Sequence, residues 1–413
     1  MSKLEEMLKY VSEHNEFYKN RIKEYGIKDP LDITQWPILT RRELQENRYN
    51  MFSKGGMSKY YLHELRHHSS SGSSGLPIDI YWDPDDYRRS MIQLWRLRSK
   101  YYGVAPNSKK IMFSSIGLDG LRFNRRQYIQ PAQNIIMFNR SCLRNEEECL
   151  EIIKTMEIFK PEWLYIQPSI LSRLIQVYNS QNRRMPSSVI YIECVGELFP
   201  SSLRNTVRSV FDGKIANMYG SEENNGIALE CPDGLLHTVK ENVYMEVLDN
   251  NQIVPFGHGE TIITNLNNHM MPLIRYAQGD MINIYRDMCS CRCDSPIIGV
   301  IEGRKIETIY DGKIVISAYL LCDMINNVQN QFNNPINKYR YIYYKKNRRL
   351  VLFISYVNKM KPWNHSIENY LKSSFYDITK DSPNIEFDII SYIDMKNDSD
   401  YDVKHRILLI EED

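Results

Sequence analysis

A run of serines and glycines, Ser69-Ser-Ser-Gly-Ser-Ser-Gly-Leu-Pro77, is the stretch of this chain best suited to holding an anion. Glycine lets the backbone approach a ligand and turn several N–H groups toward one anion, and serine hydroxyls add further donors. The spacing fits neither a Walker loop, which ends in Gly-Lys-Ser/Thr, nor the Gly-x-Gly start of a dinucleotide fold. A flexible linker has the same composition. The run therefore leaves two interpretations open, a phosphate-binding loop and a linker.

Further along the chain, short polar segments follow predicted strands or hairpins. They are Gly196-Glu197, Tyr219-Gly220-Ser221-Glu222-Glu223, the segment 272–280 that ends in Asp280, and Gly303-Arg304. Each of them alone is explained by a surface turn. Their order after the serine/glycine run is more specific, because ligands of an open α/β sheet bind at the carboxyl ends of its strands. Together they indicate one ligand site at that edge of the sheet.

Cysteine and histidine are concentrated in two other segments. Cys231 and His237 flank a Pro-Asp-Gly turn, and Cys289, Cys291 and Cys293 lie within five residues of one another. Thiolates and imidazoles are the ligands of closed tetrahedral zinc sites. These segments predict a structural zinc site, and the alternative is a group of unligated thiols.

Composition limits the classes of protein that this chain can belong to. It has 413 residues, of which 42% are hydrophobic and 25% are charged, and its formal net charge is +1. These values are typical of a globular protein with a large and a smaller domain, and they argue against a nucleic-acid partner. No apolar run reaches the length of a membrane span, and acidic residues occupy the N-terminus where a signal peptide would be apolar. We therefore expect a cytoplasmic protein without a membrane partner.

The hydrophobic pattern predicts alternating strands and helices, followed by hairpins. Strands are expected at 110–115, 163–166, 189–195 and 214–219, and helices at 86–100, 168–178 and 201–211. Such alternation is typical of a largely parallel α/β sheet. From residue 243 the pattern favours an antiparallel sheet or small barrel, and residues 341–344 and 350–354 read as paired strands. A domain boundary is expected near Arg304.

The ordered segments resemble the acyl-adenylate-forming (AMP-forming) ligase superfamily, and within it the phenylacetate–coenzyme A ligase and CapK-like branch. The likeness covers nearly the whole chain, beginning at 10–18 and continuing through 36–44 and 68–77. It implies a large N-terminal α/β domain with a small barrel-like subdomain over residues 1–303, and a mobile α+β lid over 304–413. Because Cys289-Ser-Cys291 matches a Cys-Pro-Cys of that branch, the implied zinc ligands are Cys231, His237, Cys289 and Cys291.

The resemblance also implies a reaction. MgATP would activate a small carboxylic acid as an acyl-adenylate, with aromatic and amino-substituted acids among the candidates, and coenzyme A would be the acceptor. Residues expected at the β- and γ-phosphates are Ser70, Ser71, Gly72, Ser73, Ser74 and Gly75. Residues expected at the adenine and along its loop are Gly196, Glu197, Tyr219, Gly220, Ser221 and Glu222. Glu223 would bind Mg²⁺, Asp280 and Arg304 would bind the ribose, and Lys404 would be the lid lysine.

Some positions depart from the pattern of that superfamily. Leu76 and Ile78 stand where basic residues are common, Glu222 replaces a serine or threonine, and Val403 replaces the glycine before Lys404. Two alternatives therefore remain open. One is an adenylating enzyme that transfers the acyl group to an amine or to a carrier-protein thiol, and the other is a non-catalytic nucleotide-binding protein. The sequence does not predict the oligomeric state.

Overall fold

The computed structural model describes residues 1–69, 78–114, 128–139, 146–311, 314–332, 336–356, 365–379, 385–391 and 407–412. Residues 70–77, which contain the predicted phosphate loop, lie outside the described residues, and so does Lys404. None of the helices in the described ranges has the length and apolarity needed to cross a membrane.

Eight helices in the described residues precede the hairpin region, and two follow it. They are α1 Lys3–His14, α2 Glu16–Glu24, α3 Arg41–Asn47, α4 Gly56–Tyr61, α5 Pro84–Tyr102, α6 Glu146–Phe159, α7 Pro168–Ser180, α8 Ser201–Val207, α9 Ala318–Gln331 and α10 His365–Thr379. The starts of the helices follow local capping rules. Ser2 and Glu5 form a capping box at α1, and Asp83 caps α5, whose first residue is proline.

Two short strands, β1 Arg66–Ser69 and β2 Asp79–Trp82, form a hairpin on either side of residues 70–77. The remaining strands up to Arg304 join one sheet of thirteen strands in the described residues. They are β3 Lys110–Phe113, β4 Tyr128–Ala132, β5 Ile135–Phe138, β6 Trp163–Ile166, β7 Tyr191–Val195, β8 Lys214–Ser221, β9 Asn225–Glu230, β10 Leu236–Thr238, β11 Val243–Asp249, β12 Gln252–Val254, β13 Gly257–Asn265, β14 Tyr276–Tyr285 and β15 Ile297–Arg304.

The order in this sheet is β12-β11-β13-β14-β15-β10-β9-β8-β7-β6-β3-β5-β4. Strands β5, β3, β6, β7 and β8 are parallel to one another. From β8 to the β12 edge of the sheet, each strand is antiparallel to its neighbour. The predicted α/β class is confirmed. The hairpin strands, expected to form an antiparallel sheet or small barrel, pair antiparallel and continue the large sheet, and β8 is the strand where the two halves meet.

Alternation along β7 shows why the parallel half is buried on both faces. Ile192 and Cys194 pack into the core formed with α6, α7 and α8, while Tyr191 and Val195 face the other core, which α5 covers. All five residues of the strand are buried. A central strand covered by helices on both sides leaves only its ends open to a ligand.

The chain after Arg304 forms a second α+β unit. A hairpin of β16 Thr308–Asp311 and β17 Ile314–Ser317 precedes α9, and a four-stranded sheet has the order β20-β19-β18-β21. The strands of that sheet are β18 Ile336–Tyr344, β19 Arg349–Tyr356, β20 Glu386–Ser391 and β21 Leu408–Glu411. β18 and β19 pair antiparallel, as the sequence predicted for 341–344 and 350–354. Helices α9 and α10 pack on the same sheet and share its apolar core.

Candidate active site

The turns after β7 and within β8 bring polar residues to the carboxyl edge of the parallel strands. Gly196 ends β7 with a φ of +74°, a left-handed conformation that glycine adopts without strain. At Gly220 the limit is space, because an added Cβ would lie 2.5 Å from the carbonyl oxygen of Asn225. Both glycines allow the backbone to turn tightly beside the site.

Tyr219, Gln278 and Asp280 are buried at this edge and form one cluster with the partly buried Arg304. The Tyr219 hydroxyl donates to Asp280 Oδ2 at 2.6 Å, and Gln278 Nε2 donates to the same oxygen at 2.8 Å. Arg304 Nε lies 3.1 Å from the other oxygen, Asp280 Oδ1. Gln278 and Asp280 share a face of β14 because they are two residues apart. The carboxylate is therefore held in one orientation from three sides.

The environment of this cluster fixes its charge state. Burial, followed by the charge of Asp280, raises the pKa of Tyr219 well above its ordinary value, so the phenol stays protonated and donates. Burial alone would lower the pKa of Arg304, but Asp280 and Glu223 reverse that effect, and the pKa lies above its usual value. The cluster thus contains an intact phenol at one oxygen of Asp280 and a guanidinium at the other.

Glu223 lies nearby and is almost fully buried, with 3% of its side chain exposed. Its Oε1 is 3.9 Å from Nη1 of Arg41, the first residue of α3. Tyr276 lies close to both, since Glu223 contributes, after burial, to raising the pKa of Tyr276. A buried carboxylate facing a guanidinium is a suitable place for a phosphate-bound cation, because oxygen ligands suit Mg²⁺ and the guanidinium suits phosphate.

Two predicted residues make contacts that the sequence did not indicate. Glu197 accepts hydrogen bonds from the backbone N–H and the hydroxyl of Ser169, both at 2.9 Å, at the N-terminus of α7. Glu222 is paired with His68, whose Nδ1 lies 2.7 Å from Glu222 Oε2. The side chains of Glu197 and Glu222 therefore serve to join neighbouring elements, whatever else they bind.

The predicted zinc ligands come together away from this edge, beside the C-terminal end of α5. The ligand atoms of Cys231, His237, Cys289 and Cys291 all lie within 4.8 Å of one another. Cys231 Sγ is 3.6 Å from Cys289 Sγ, and Cys291 Sγ is 3.4 Å from His237 Nε2. Tetrahedral zinc with Zn–S bonds of about 2.3 Å separates two sulfurs by roughly 3.8 Å. The four residues present fit such an ion.

Neighbouring groups also orient this cluster. His237 Nδ1 lies 3.3 Å from the carbonyl oxygen of Ser295, which assigns the proton to Nδ1 and leaves Nε2 as the ligand atom. Cys293 is a fourth sulfur close by, and a hydrogen bond with His237 lowers the pKa of its thiol to about 6. The sequence alone left Cys293 as an equal candidate, and the geometry favours the other three cysteines.

Three residues of the candidate site were missed when the sequence was read. Arg41 follows the capping residue Thr40 of an amphipathic helix, a position typical of a solvated surface. Tyr276 and Gln278 lie four and two residues before Asp280, and only this even spacing could have indicated a shared strand face. Arg41 gave no such signal, because its distance from Glu223 in the sequence conceals their proximity.

Comparison with known proteins gives distant relatives in sequence. No family model matches the chain. It is 23% identical over 297 residues to the protein CapK of Staphylococcus aureus, covering 69% of this chain and 62% of CapK. It is 22% identical over 329 residues to a phenylacetate-coenzyme A ligase of Thermus thermophilus, covering 73% of this chain and 68% of that enzyme. The chain therefore matches slightly less than two thirds of the length of CapK.

Solved structures with the same fold cover most or nearly all of the chain. The structure of 2-hydroxyisobutyryl-CoA ligase in the postadenylation state, with its 2-HIB-AMP, has a TM-score of 0.75 at 15% identity. That comparison covers 99% of this chain and 88% of the ligase. An O-succinylbenzoate coenzyme A synthetase of Bacillus subtilis, in complex with ATP and magnesium, has a TM-score of 0.54 at 13% identity, over 83% and 68% of the two chains. This chain has the fold of the AMP-forming ligase superfamily and is a relative of CapK and the phenylacetate–coenzyme A ligases.

Proposed function

We propose that this chain is an acid–thiol ligase that uses MgATP to convert a small carboxylic acid into an acyl-adenylate and then transfers the acyl group to coenzyme A. One observation carries the proposal. The cluster of Tyr219, Asp280 and Arg304 lies at the carboxyl edge of the parallel strands and adjoins the Glu223–Arg41 pair. In such an arrangement Asp280 can bind a ribose, Glu223 can bind a metal ion, and Arg41 can bind the phosphates of the nucleotide.

The nucleotide-binding role of each residue follows from its hydrogen-bonding capacity. Asp280 has two carboxylate oxygens that can accept from the two ribose hydroxyls, and Arg304 and Tyr219 orient it. Gly196 leaves open space beside the end of β7, since nothing lies within 4 Å of an added Cβ. The adenine ring would lie against that backbone, with Tyr219 beside it.

The phosphates would lie on the side of Glu223 and Arg41. Mg²⁺ would neutralise phosphate charge there, and Glu223 offers the hard oxygen ligand it prefers. The Arg41 guanidinium lies where it can pair with an α-phosphate oxygen as charge develops during attack by the carboxylate of the acid. The serines and glycines of 70–75 would hold the β- and γ-phosphates through backbone N–H groups and hydroxyls.

The second part of the proposal concerns the lid. We assign residues 1–303 to the adenylation domain and 304–413 to a mobile lid that pivots beside Arg304 and brings Lys404 to the reacting phosphate. Gly303, with a φ of +105°, supplies a conformation at the boundary that other residues rarely adopt. On the N-terminal side, Ser202 of α8 donates to Asp323 of α9 at 2.9 Å, a polar contact that a moving lid can exchange.

A structural zinc ion held by Cys231, His237, Cys289 and Cys291 is also part of the proposal. It would fix the turn after β9 to the segment that precedes β15. Its distance from the ribose-binding cluster favours a structural over a catalytic role, and measurement of the metal content of the purified protein tests its presence.

Exchange of radiolabelled pyrophosphate into ATP tests the adenylation step. A panel of small aliphatic, aromatic and amino-substituted acids would be assayed with Mg²⁺, and thioester formation would be followed with and without coenzyme A. We expect exchange with at least one acid. Glu223→Gln and Lys404→Ala should each lower its rate at least a hundredfold, since each removes transition-state charge stabilisation.

A matched control is Glu147→Gln, which makes the same change in the exposed first turn of α6 and should leave exchange unchanged. If pyrophosphate exchange occurs but no thioester forms with coenzyme A, the acceptor is an amine or a carrier-protein thiol rather than coenzyme A. Absence of exchange with every acid, from folded protein that binds MgATP, would contradict the enzyme proposal and favour a non-catalytic nucleotide-binding protein.

A further inference from the structure

The hairpin of β1 and β2 carries the two ends of residues 70–77. His68 is paired with Ile80, and Ser69 with Asp79, so these ends lie side by side on adjacent strands. A hairpin this short has little stability of its own. Its orientation therefore depends on contacts with the rest of the protein.

Both strands of the hairpin contact the same residue, Glu222. His68 Nδ1 on β1 is 2.7 Å from Glu222 Oε2, and the Trp82 indole N–H on β2 donates to the Glu222 carbonyl oxygen at 3.4 Å. Trp82 is fully buried, and the His68 side chain is only 19% exposed. Glu222 thus joins the hairpin to the loop after β8, one residue before Glu223.

Other groups around His68 restrict its orientation. Its ring packs against that of Tyr87, with centroids 5.3 Å apart, and the Arg66 guanidinium lies 4.3 Å from the Tyr87 ring centroid. Glu222 is the acidic partner of His68 among the described residues. The imidazole is therefore stacked on one side and hydrogen-bonded at its edge.

Glu222 also presents an electrostatic problem for a polyphosphate ligand. A carboxylate adjacent to Glu223 would repel a triphosphate if it were free to turn toward it. His68 holds that carboxylate toward β1 by a hydrogen bond. The pair therefore has two effects, since it orients the hairpin and keeps a negative charge directed away from the phosphates.

We propose that His68 and Glu222 act as a positioning pair that gives the site its preference for nucleoside triphosphates over the monophosphate. The inference rests on the proposed function, because it concerns the same nucleotide site. His68 is a positioning residue, since it acts through Glu222. Loss of the pair should weaken only the binding of ligands that carry β- and γ-phosphates, because Asp280, which would bind the ribose, belongs to another strand.

Calorimetric titration of the full-length protein with AMP and with the Mg²⁺ complex of the ATP analogue AMP-PNP tests this inference, and no carboxylic acid is added, so that adenylation cannot cleave the α–β bridge of the analogue. His68→Ala should weaken AMP-PNP binding about tenfold, while AMP binding stays within about twofold. His68→Asn retains an N–H near the position of Nδ1 and should restore most of the loss. His67→Ala is the control, because His67 pairs with Asp79 inside the hairpin itself, and it should leave the ratio of the two affinities unchanged.

The double variant His68→Ala/Glu222→Ser distinguishes pairing from independent effects. Since the harmful species is an unpaired Glu222, the double variant should bind AMP-PNP better than His68→Ala does. Equal weakening of AMP and AMP-PNP binding, or additive losses in the double variant, would overturn the inference and leave the proposed function standing. A wild-type protein that binds neither nucleotide would overturn both.

Discussion

Replacing Glu193 by glutamine removes one charge from the most completely buried ion pair that the structure describes between α5 and the sheet. Glu193 on β7 is 0% exposed and Arg98 on α5 is 2% exposed. Arg98 Nε and Nη2 donate to the two carboxylate oxygens at 2.8 and 2.6 Å, and the Tyr191 hydroxyl donates to Glu193 at 2.8 Å. Breaking such a pair leaves a guanidinium in the protein interior without a counter-charge.

The expected loss is large relative to the stability of a domain. Removing one partner of a buried pair destabilises by about 3–5 kcal/mol, whereas replacing both with apolar residues is often neutral or stabilising. Glu193→Gln should therefore lower the free energy of unfolding by about 3–5 kcal/mol. The double variant Arg98→Met/Glu193→Leu should regain most of that loss.

Urea unfolding followed by tryptophan fluorescence measures the effect at the pair itself. Trp95 and Trp163 lie 4.9 and 5.4 Å from the Arg98 guanidinium, so their emission reports the opening of this interface. The control is Glu46→Gln, which breaks an exposed arginine pair on α3 and should leave the midpoint unchanged. The reasoning is refuted if Glu193→Gln behaves like Glu46→Gln, or if the double variant is less stable than Glu193→Gln.

Two further predictions concern a buried lysine and the cysteine cluster. Burial, and then the charge of Arg98, lower the pKa of Lys110 from 10.5 to about 8. Between these values the unfolded chain binds more protons, so the unfolding free energy of the wild type should rise with pH. The variant Lys110→Met lacks this titration and serves as the reference. The unfolding free energy of the wild type, measured by urea melts, should rise relative to that of the variant between pH 8 and 10. A difference between the two free energies that does not change with pH would contradict the prediction. Cys231→Ser should lose bound zinc and unfold at lower temperature. Cys149→Ala, which changes a buried thiol on α6, should keep its zinc. Plasma mass spectrometry measures the metal content, and equal zinc content in the two variants would contradict the ligand assignment.

Much of the parallel half could be predicted because its signals are local. The predicted strand 163–166 coincides with β6, and the predicted helix 86–100 lies inside α5. Buried parallel strands are continuous apolar runs, and the proline at the start of α5 and the glycine after its end mark its limits. The hairpin strands were also recognised, but their union with the parallel strands depends on β8 pairing with β9, which no local pattern encodes.

By itself the sequence determined which residue types lie at the ends of strands, and hence that Glu223, Asp280 and Arg304 are candidates for one site. Only the tertiary structure decided which side chains meet them. Arg41 reaches Glu223 across 182 positions of the chain, and His68 reaches Glu222 across 154. Such pairs arise from strand order and helix packing, and the hydrophobic periodicity of a segment carries no information about its partner. Local sequence preferences therefore specified the helices and strands and their ends, while the contacts that orient the site depend on how the strands pair and the helices pack.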